Sequence, residues 1–159
     1  ADKGKVERGS REGMVREMSE LCFFVPSPRR DRRGHPLAMD GLNEIVDHSR
    51  ANFYAANKYK SDATAYVSEI AKHAAHEQHW HTPEGRCHVT LTFVEINHRR
   101  DPDNVFAGAK YVLDGLTARA DLGAGVIKDD SQRWITLVCA LADKTDREHP
   151  GVWVRIREE

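Results

Sequence analysis

The sequence predicts an α/β (α+β) fold, a small sheet packed against helices. Three observations point there. Four short apolar runs have strand character (residues 21–25, 87–96, 132–141 and 152–156), and two stretches with helical character (42–78 and 105–116) lie between them. The length, 159 residues, suits one domain. A chain of this size buries about 68–70% of the surface that its unfolded form exposes, enough for a core without disulfide or metal staples.

Residues 1–18 are polar and lack hydrophobic periodicity, so they are read as a flexible N-terminal arm, with a single domain over 19–159. Leu21, Cys22, Phe23, Phe24 and Val25, closed by Pro26 and Pro28, read as the first strand, because prolines bound the run. A basic loop follows, with Arg29, Arg30, Arg32 and Arg33 ahead of Gly34; arginine matches phosphate geometry bidentately. Residues 42–78 read as helical with a break near Lys60-Ser61-Asp62, where Ser61 or Asp62 would cap a second helix. Ala65, Val67, Ile70, Ala71 and Ala74 supply that helix with a packing face.

His73, His76, His79 and His81 gather near its C-terminal end, with Cys87-His88 beyond. Favourable contact with the helix dipole and water accounts for such histidines better than zinc, since no Cys-x-x-Cys pair accompanies them. From Cys87 onward, Val89, Leu91 and Phe93 alternate with His88, Thr90 and Thr92, the period of a half-buried strand. The last two strands, 132–141 and 152–156, flank a polar loop and are expected to form an antiparallel hairpin.

Composition excludes several classes. No run approaches the roughly 18 apolar residues that span a bilayer, so no membrane partner is expected. The first twenty residues hold no apolar signal core, which makes a cytoplasmic protein the expectation. Three widely spaced cysteines do not make a disulfide framework. Lys plus Arg number 24 against 25 Asp plus Glu, so any nucleic-acid contact must rest on local patches rather than on a wholly basic chain.

The informative stretch runs from Arg99-Arg100-Asp101-Pro102-Asp103-Asn104 to Lys128-Asp129-Asp130-Ser131. Val105, Phe106, Ala109, Val112, Leu113 and Leu116 fall on one side of a helix, and Asp103, Lys110 and Asp114 fall within roughly 20° of one line on the other. Pro102 starts that helix. One acid suffices for capping, yet Asp101 and Asp103 flank the proline and Asp129-Asp130 ends the next segment. Clustered carboxylates suit a hard cation, Mg²⁺ with Mn²⁺ as its substitute. Set beside Arg99, Arg100 and Lys110, such a site fits phosphodiester cleavage, in which metal and cations meet the charge on phosphate.

The order Arg99-Arg100-Asp101-Pro102-Asp103-Asn104, Lys110, Leu113-Asp114-Gly115-Leu116, Gly125-Val126-Ile127, Asp129-Asp130-Ser131 resembles the RusA family of Holliday junction resolvases. Leu42-Asn43-Glu44-Ile45, the segment from Arg50 to Lys58 and the last strand extend the resemblance to roughly residues 35–157. It implies a RusA-like small mixed sheet packed against helices, and a homodimeric, Mg²⁺-dependent endonuclease that cuts four-way DNA junctions symmetrically, in recombination and repair. Carried over, the catalytic and metal-binding acids are Asp101, Asp103 and Asp130, and the assisting lysine is Lys110. Thr117 to Ala124 make a longer turn than the family's, and the N-terminal portion is longer too.

On this reading Asp129 is an accessory ligand and Asp114 holds Lys110 by an i,i+4 pair. Arg99, Arg100, Arg29, Arg30, Arg32, Arg33, Lys58 and Lys60 are candidates for DNA phosphate contacts, which position DNA without reading its sequence. Symmetric cutting asks for two sites about a two-fold axis, hence a homodimer. The alternatives are a non-catalytic module that binds branched DNA and a nuclease for flaps or other branches.

Overall fold

The computed structural model describes residues 19–50, 52–118 and 122–159; the arm assigned to 1–18 lies outside them. Its elements in chain order are β1 (Glu20–Pro26), α1 (Leu42–Arg50), α2 (Phe53–Glu77), β2 (Cys87–Val94), α3 (Pro102–Phe106), α4 (Ala109–Leu116), β3 (Ile135–Leu141) and β4 (Gly151–Glu158). The strands form one mixed sheet in the order β1-β4-β2-β3. The α/β (α+β) class expected from the sequence is the one found. Among the described residues no helix is long and apolar enough to cross a membrane.

Alternation decides which sheet face is covered. Leu21, Val25, Val89, Leu91, Val152, Val154 and Ile156 are fully buried on the face under α2 and α4, whereas Trp153 and Val138 remain about half exposed on the other. Val67, Ala71 and Ala74 of α2 meet Val105, Ala109, Val112, Leu113 and Leu116 in the same core, the two faces that helical spacing had marked. Gly115 sets how closely α2 and α4 approach: a Cβ there would lie 2.5 Å from the Cβ of Val67.

Three local expectations need correction. The final two strands do not form a hairpin: β3 pairs with β2 in parallel, and β4 lies antiparallel between β2 and β1. Burial explains the choice. Val152, Val154 and Ile156 are wholly enclosed, as a central strand requires, while Leu137, Val138 and Leu141 of β3 are partly exposed at an edge. The helix break lies before Phe53, not near Ser61, because Asn52 accepts the amide of Ala55 at 2.9 Å as a side-chain cap. Downstream, Lys58 bonds Asp62 at 2.7 Å across one turn, so the polar stretch continues the helix. The single helix expected over 105–116 is two, α3 and α4, separated at Ala107-Gly108, where Gly108 passes so close to the carbonyl of Asp40 that a Cβ would lie 2.3 Å from its oxygen.

Helix α2 runs the length of β1 and beyond it. Tyr66 Oη donates to the carbonyl of Pro26 (2.6 Å) at one end of the sheet, and Gln78 Nε2 donates to the carbonyl of Cys22 (2.7 Å) towards the other. The thirteen residues of α2 ahead of Tyr66 therefore project about 20 Å past the end from which residues 27–41 and 95–101 emerge.

Candidate active site

Asp101 closes the loop after β2 and opens α3 with Pro102 in its first turn. Its backbone is extended (φ −68°, ψ 146°) and its carbonyl accepts the amide of Val105 at 3.1 Å, yet its carboxylate makes no cap bond. Capping thus leaves the carboxylate of Asp101 unused. Asp103, one residue beyond Pro102, is exposed on the same short helix. Asn104 is partly buried, and its Oδ1 accepts the amide of Asn43 at 3.4 Å and so ties the first turn of α1 to α3.

Lys110 and Asp114 form the expected i,i+4 pair, Nζ to Oδ1 at 2.6 Å on α4. Asp114 is buried and Lys110 mostly exposed, so the acid anchors the lysine rather than standing beside it in a solvent-facing row. Asp103 lies on α3 and the Lys110–Asp114 pair on α4, across the junction at Ala107-Gly108.

Asp130 is elsewhere. It precedes β3 and lines a groove with Arg86, Gln132, Ile135, Thr136 and Leu137. Arg86 shapes this turn: its guanidinium donates to the carbonyl of Gln132 and to Thr136 Oγ1 (2.8 Å), and pairs with Glu159 (3.0 Å). Because β2 and β3 are parallel from Cys87↔Ile135 to Phe93↔Leu141, Asp130 stands at the entry of the strands and Asp101 beyond their exit. Six residue steps of strand, about 20 Å, separate the two ends. Asp129 is buried next to Asp130. Among the described residues no three His, Cys, Asp or Glu side chains form a group that could hold a metal ion. The donor chemistry suits Mg²⁺, all carboxylate oxygen, but one chain assembles it as two separated parts.

The arginines nominated for phosphate divide into two kinds. Arg100 is spent inside the protein: it grips Glu95 with Nε (2.7 Å) and Nη2 (2.8 Å), donates to the carbonyl of Met39 (2.9 Å), and lies 3.6 Å from Glu44. Arg29 pairs with Asp40 (3.1 Å) and Glu44 (3.3 Å) and donates to the carbonyl of Ala38 (2.8 Å). Of the residues named for DNA contacts, these two have their guanidinium groups committed to carboxylates within the fold. Burial raises the carboxyl of Asp40 above its ordinary value despite Arg29. Burial opposes ionisation of Glu44 too, but backbone amides, including that of Gly41, with Arg29 and Arg100 outweigh it and hold the carboxyl below its usual value. Together these pairs clamp the loops after β1 and β2 to α1.

Arg30, Arg32, Arg33, Arg99 and Lys60 are exposed, while Lys58 is exposed but paired with Asp62. The Arg29–Arg33 loop is held by Asp31, whose carboxylate accepts the amides of Arg33 (2.8 Å) and His35 (2.9 Å), and by Gly34 at φ +84°. One groove brings this loop to Arg99 and also to Arg147. Sequence reasoning missed Arg147 and Arg86, lone arginines in polar segments with no motif around them. This groove, in which Asp31 and Glu148 stand with Arg99 and Arg147, opens at the sheet end that carries Asp101, past which Lys60 also projects.

The largely apolar cavity between α2 and α4, lined by Tyr59, Tyr66 and Tyr111, holds no free polar group of Asp40, which Arg29 and the Tyr59 hydroxyl occupy. Burial pushes the Cys87 thiol up to about 11, so the free thiol stays protonated. No protein-family model, curated protein or solved structure matches this chain.

Proposed function

We propose that this chain is a Mg²⁺-dependent endonuclease that resolves four-way DNA junctions as a homodimer. The observation that carries the reading is the pair Asp101 and Asp103: exposed, unused for capping, and close in the chain to the exposed Arg99. The resemblance to RusA resolvases supplies the substrate class.

Asp101, Asp103 and Asp130 would hold the ion. A bound Mg²⁺ supplies a more acidic water and neutralises charge on the phosphate. Lys110, steadied by Asp114, offers an ammonium to the charge that develops on the phosphate oxygens. Arg30, Arg32, Arg33, Arg99 and Lys60 position the DNA backbone. Since Asp130 stands at the opposite end of the sheet from Asp101, a site that uses all three acids takes Asp130 from a second copy. The dimer is then required for each cut as well as for their symmetry.

A labelled synthetic four-way junction, with flap and linear duplex as controls, tests the assignment. Paired, symmetric nicks in the junction that need Mg²⁺ are expected. Preferential cutting of the flap would instead make the chain a flap nuclease, and tight junction binding without cutting would make it a binding module.

A further inference from the structure

We infer that the open face of the sheet binds an unpaired stretch of DNA, with a base stacked on Trp153 and a backbone phosphate held by Lys144. The choice of DNA as the polymer rests on the resolvase reading; the geometry of the site does not.

Strand register places the residues that build it. Along β4, Val152, Val154 and Ile156 enter the core, so Trp153, Arg155 and Arg157 share the opposite face. Across the sheet Trp153 stands between Phe24 of β1 and Thr92 of β2, Arg155 between Cys22 and Thr90, and Arg157 between Glu20 and His88. Trp153 is 48% exposed although β4 is a central strand, and its ring meets that of Phe24 at 5.0 Å between centroids. The loop after β3 closes one side of this pair. The amide of Ala142 donates to the carbonyl of Phe93 (2.9 Å) and that of Asp146 to the carbonyl of Glu95 (2.8 Å), which ties the loop to the end of β2, where Val94 is buried although it shares the open face with Thr92. Sheet and loop form a shallow hollow of about 620 Å³, lined by Phe24, Trp153, Val94, Lys144, Asp146 and His149 among others.

The charges select the ligand. Asp146 is turned to the loop's own backbone: its Oδ1 accepts the amides of Glu148 (3.0 Å) and His149 (2.9 Å), and its Oδ2 lies 3.6 Å from His149 Nδ1. Lys144 is exposed and has no ion pair among the described residues, so a free ammonium stands beside two aromatic rings. Farther along the same face Arg155 is paired with Glu20 (2.9 Å), whereas Arg157 has no acid partner among the described residues. An aromatic surface with a free cation at either end fits a single strand, whose bases stack and whose phosphates pair. A duplex offers the protein the edges of its bases and keeps their faces in its own stack. The same loop puts Arg147 in the groove with Arg99, so the hollow adjoins the surface assigned to the DNA backbone, at the sheet end that carries Asp101. At a branch point, where strands part, a base loses a stacking neighbour that Trp153 replaces.

Fluorescence anisotropy of a labelled oligothymidine of about ten nucleotides, without Mg²⁺ and at one fixed salt concentration, tests the site apart from cleavage. Wild type is expected to bind it and to show quenched tryptophan fluorescence when it does. Trp153→Leu is expected to weaken that affinity about tenfold and to leave affinity for a blunt duplex unchanged. Trp153→Phe is expected to keep the affinity within a few-fold of wild type and to lose the quenching. Lys144→Glu is expected to weaken binding several-fold with an unchanged far-ultraviolet circular dichroism spectrum. A wild type that does not bind oligothymidine, a folded Trp153→Leu protein that binds it as wild type does, or quenching that persists in Trp153→Phe overturns the inference. Should Trp153→Leu unfold, Lys144→Glu decides instead: an affinity equal to that of wild type refutes the site. A wild type that grips oligothymidine through Trp153 but cuts no junction would keep this site and refute the resolvase reading, and one that cuts junctions without gripping oligothymidine would do the reverse.

Discussion

Asp103→Asn is expected to lower Mg²⁺-dependent junction cleavage by at least about a thousandfold while leaving junction binding within a few-fold of wild type. The substitution keeps the side chain's size and removes its charge. Asp103 is exposed and neither caps α3 nor joins an ion pair among the described residues, so nothing in the fold depends on that charge. On the proposed function, binding rests on Arg30, Arg32, Arg33, Arg99 and Lys60, and loss of one negative charge near phosphate is not expected to weaken it. Gel-shift and cleavage assays on the same preparation separate the two effects. Equal losses in binding and cutting would show that Asp103 shapes the DNA surface instead of serving the chemistry.

Arg100→Ala has the largest expected effect on stability, a loss of roughly 3 kcal/mol. The side chains of Arg100 and Glu95 are only 19% and 11% exposed, so the alanine variant leaves the Glu95 side chain poorly solvated with nothing in place of two charge-assisted hydrogen bonds. Glu44 and the carbonyl of Met39 lose a partner as well. For a chain of this length the loss corresponds to a fall in Tm of about 10 °C. Arg100→Lys is not expected to restore it, since an ammonium cannot make the fork-like grip on Glu95. A fall of less than about 2 °C by calorimetry would mean that the network contributes little.

Residue pattern made the elements legible, and pairing did not follow from it. Val89, Leu91 and Phe93 announce β2 by their spacing, and the apolar face of residues 105–116 is read from the 3.6-residue period alone. The place of β4 is not local information. A short polar loop permits a hairpin with β3, and only the need to enclose Val152, Val154 and Ile156 from both sides puts β4 between β1 and β2. The helix break was mislocated for a similar reason: Ser61 and Asp62 have capping chemistry, but Asn52 does the capping and Asp62 serves Lys58 within the helix.

The acidic positions were legible by residue type, and their arrangement was not. The parallel register of β2 and β3, invisible in either strand's sequence, is what sets Asp130 apart from Asp101 and Asp103. Arg99 and Arg100 look equivalent in the chain. Glu95, seven residues from Pro102 and aimed back across the loop, makes one of them a clamp and leaves the other exposed.

Mixed dimers test the two-copy site most directly. Chains carrying Asp103→Asn and Asp130→Asn, each on a different affinity tag, are co-expressed, purified through both tags, and given a labelled junction with Mg²⁺. Each variant alone is expected to be inactive. If Asp130 acts from the second copy, the mixed dimer holds one intact site, formed by Asp101 and Asp103 of the Asp130→Asn chain and Asp130 of the Asp103→Asn chain, and it should nick one strand without the paired cut. A mixed dimer as inactive as its parents, with wild type cutting both strands, would place all three acids within one chain and contradict the account.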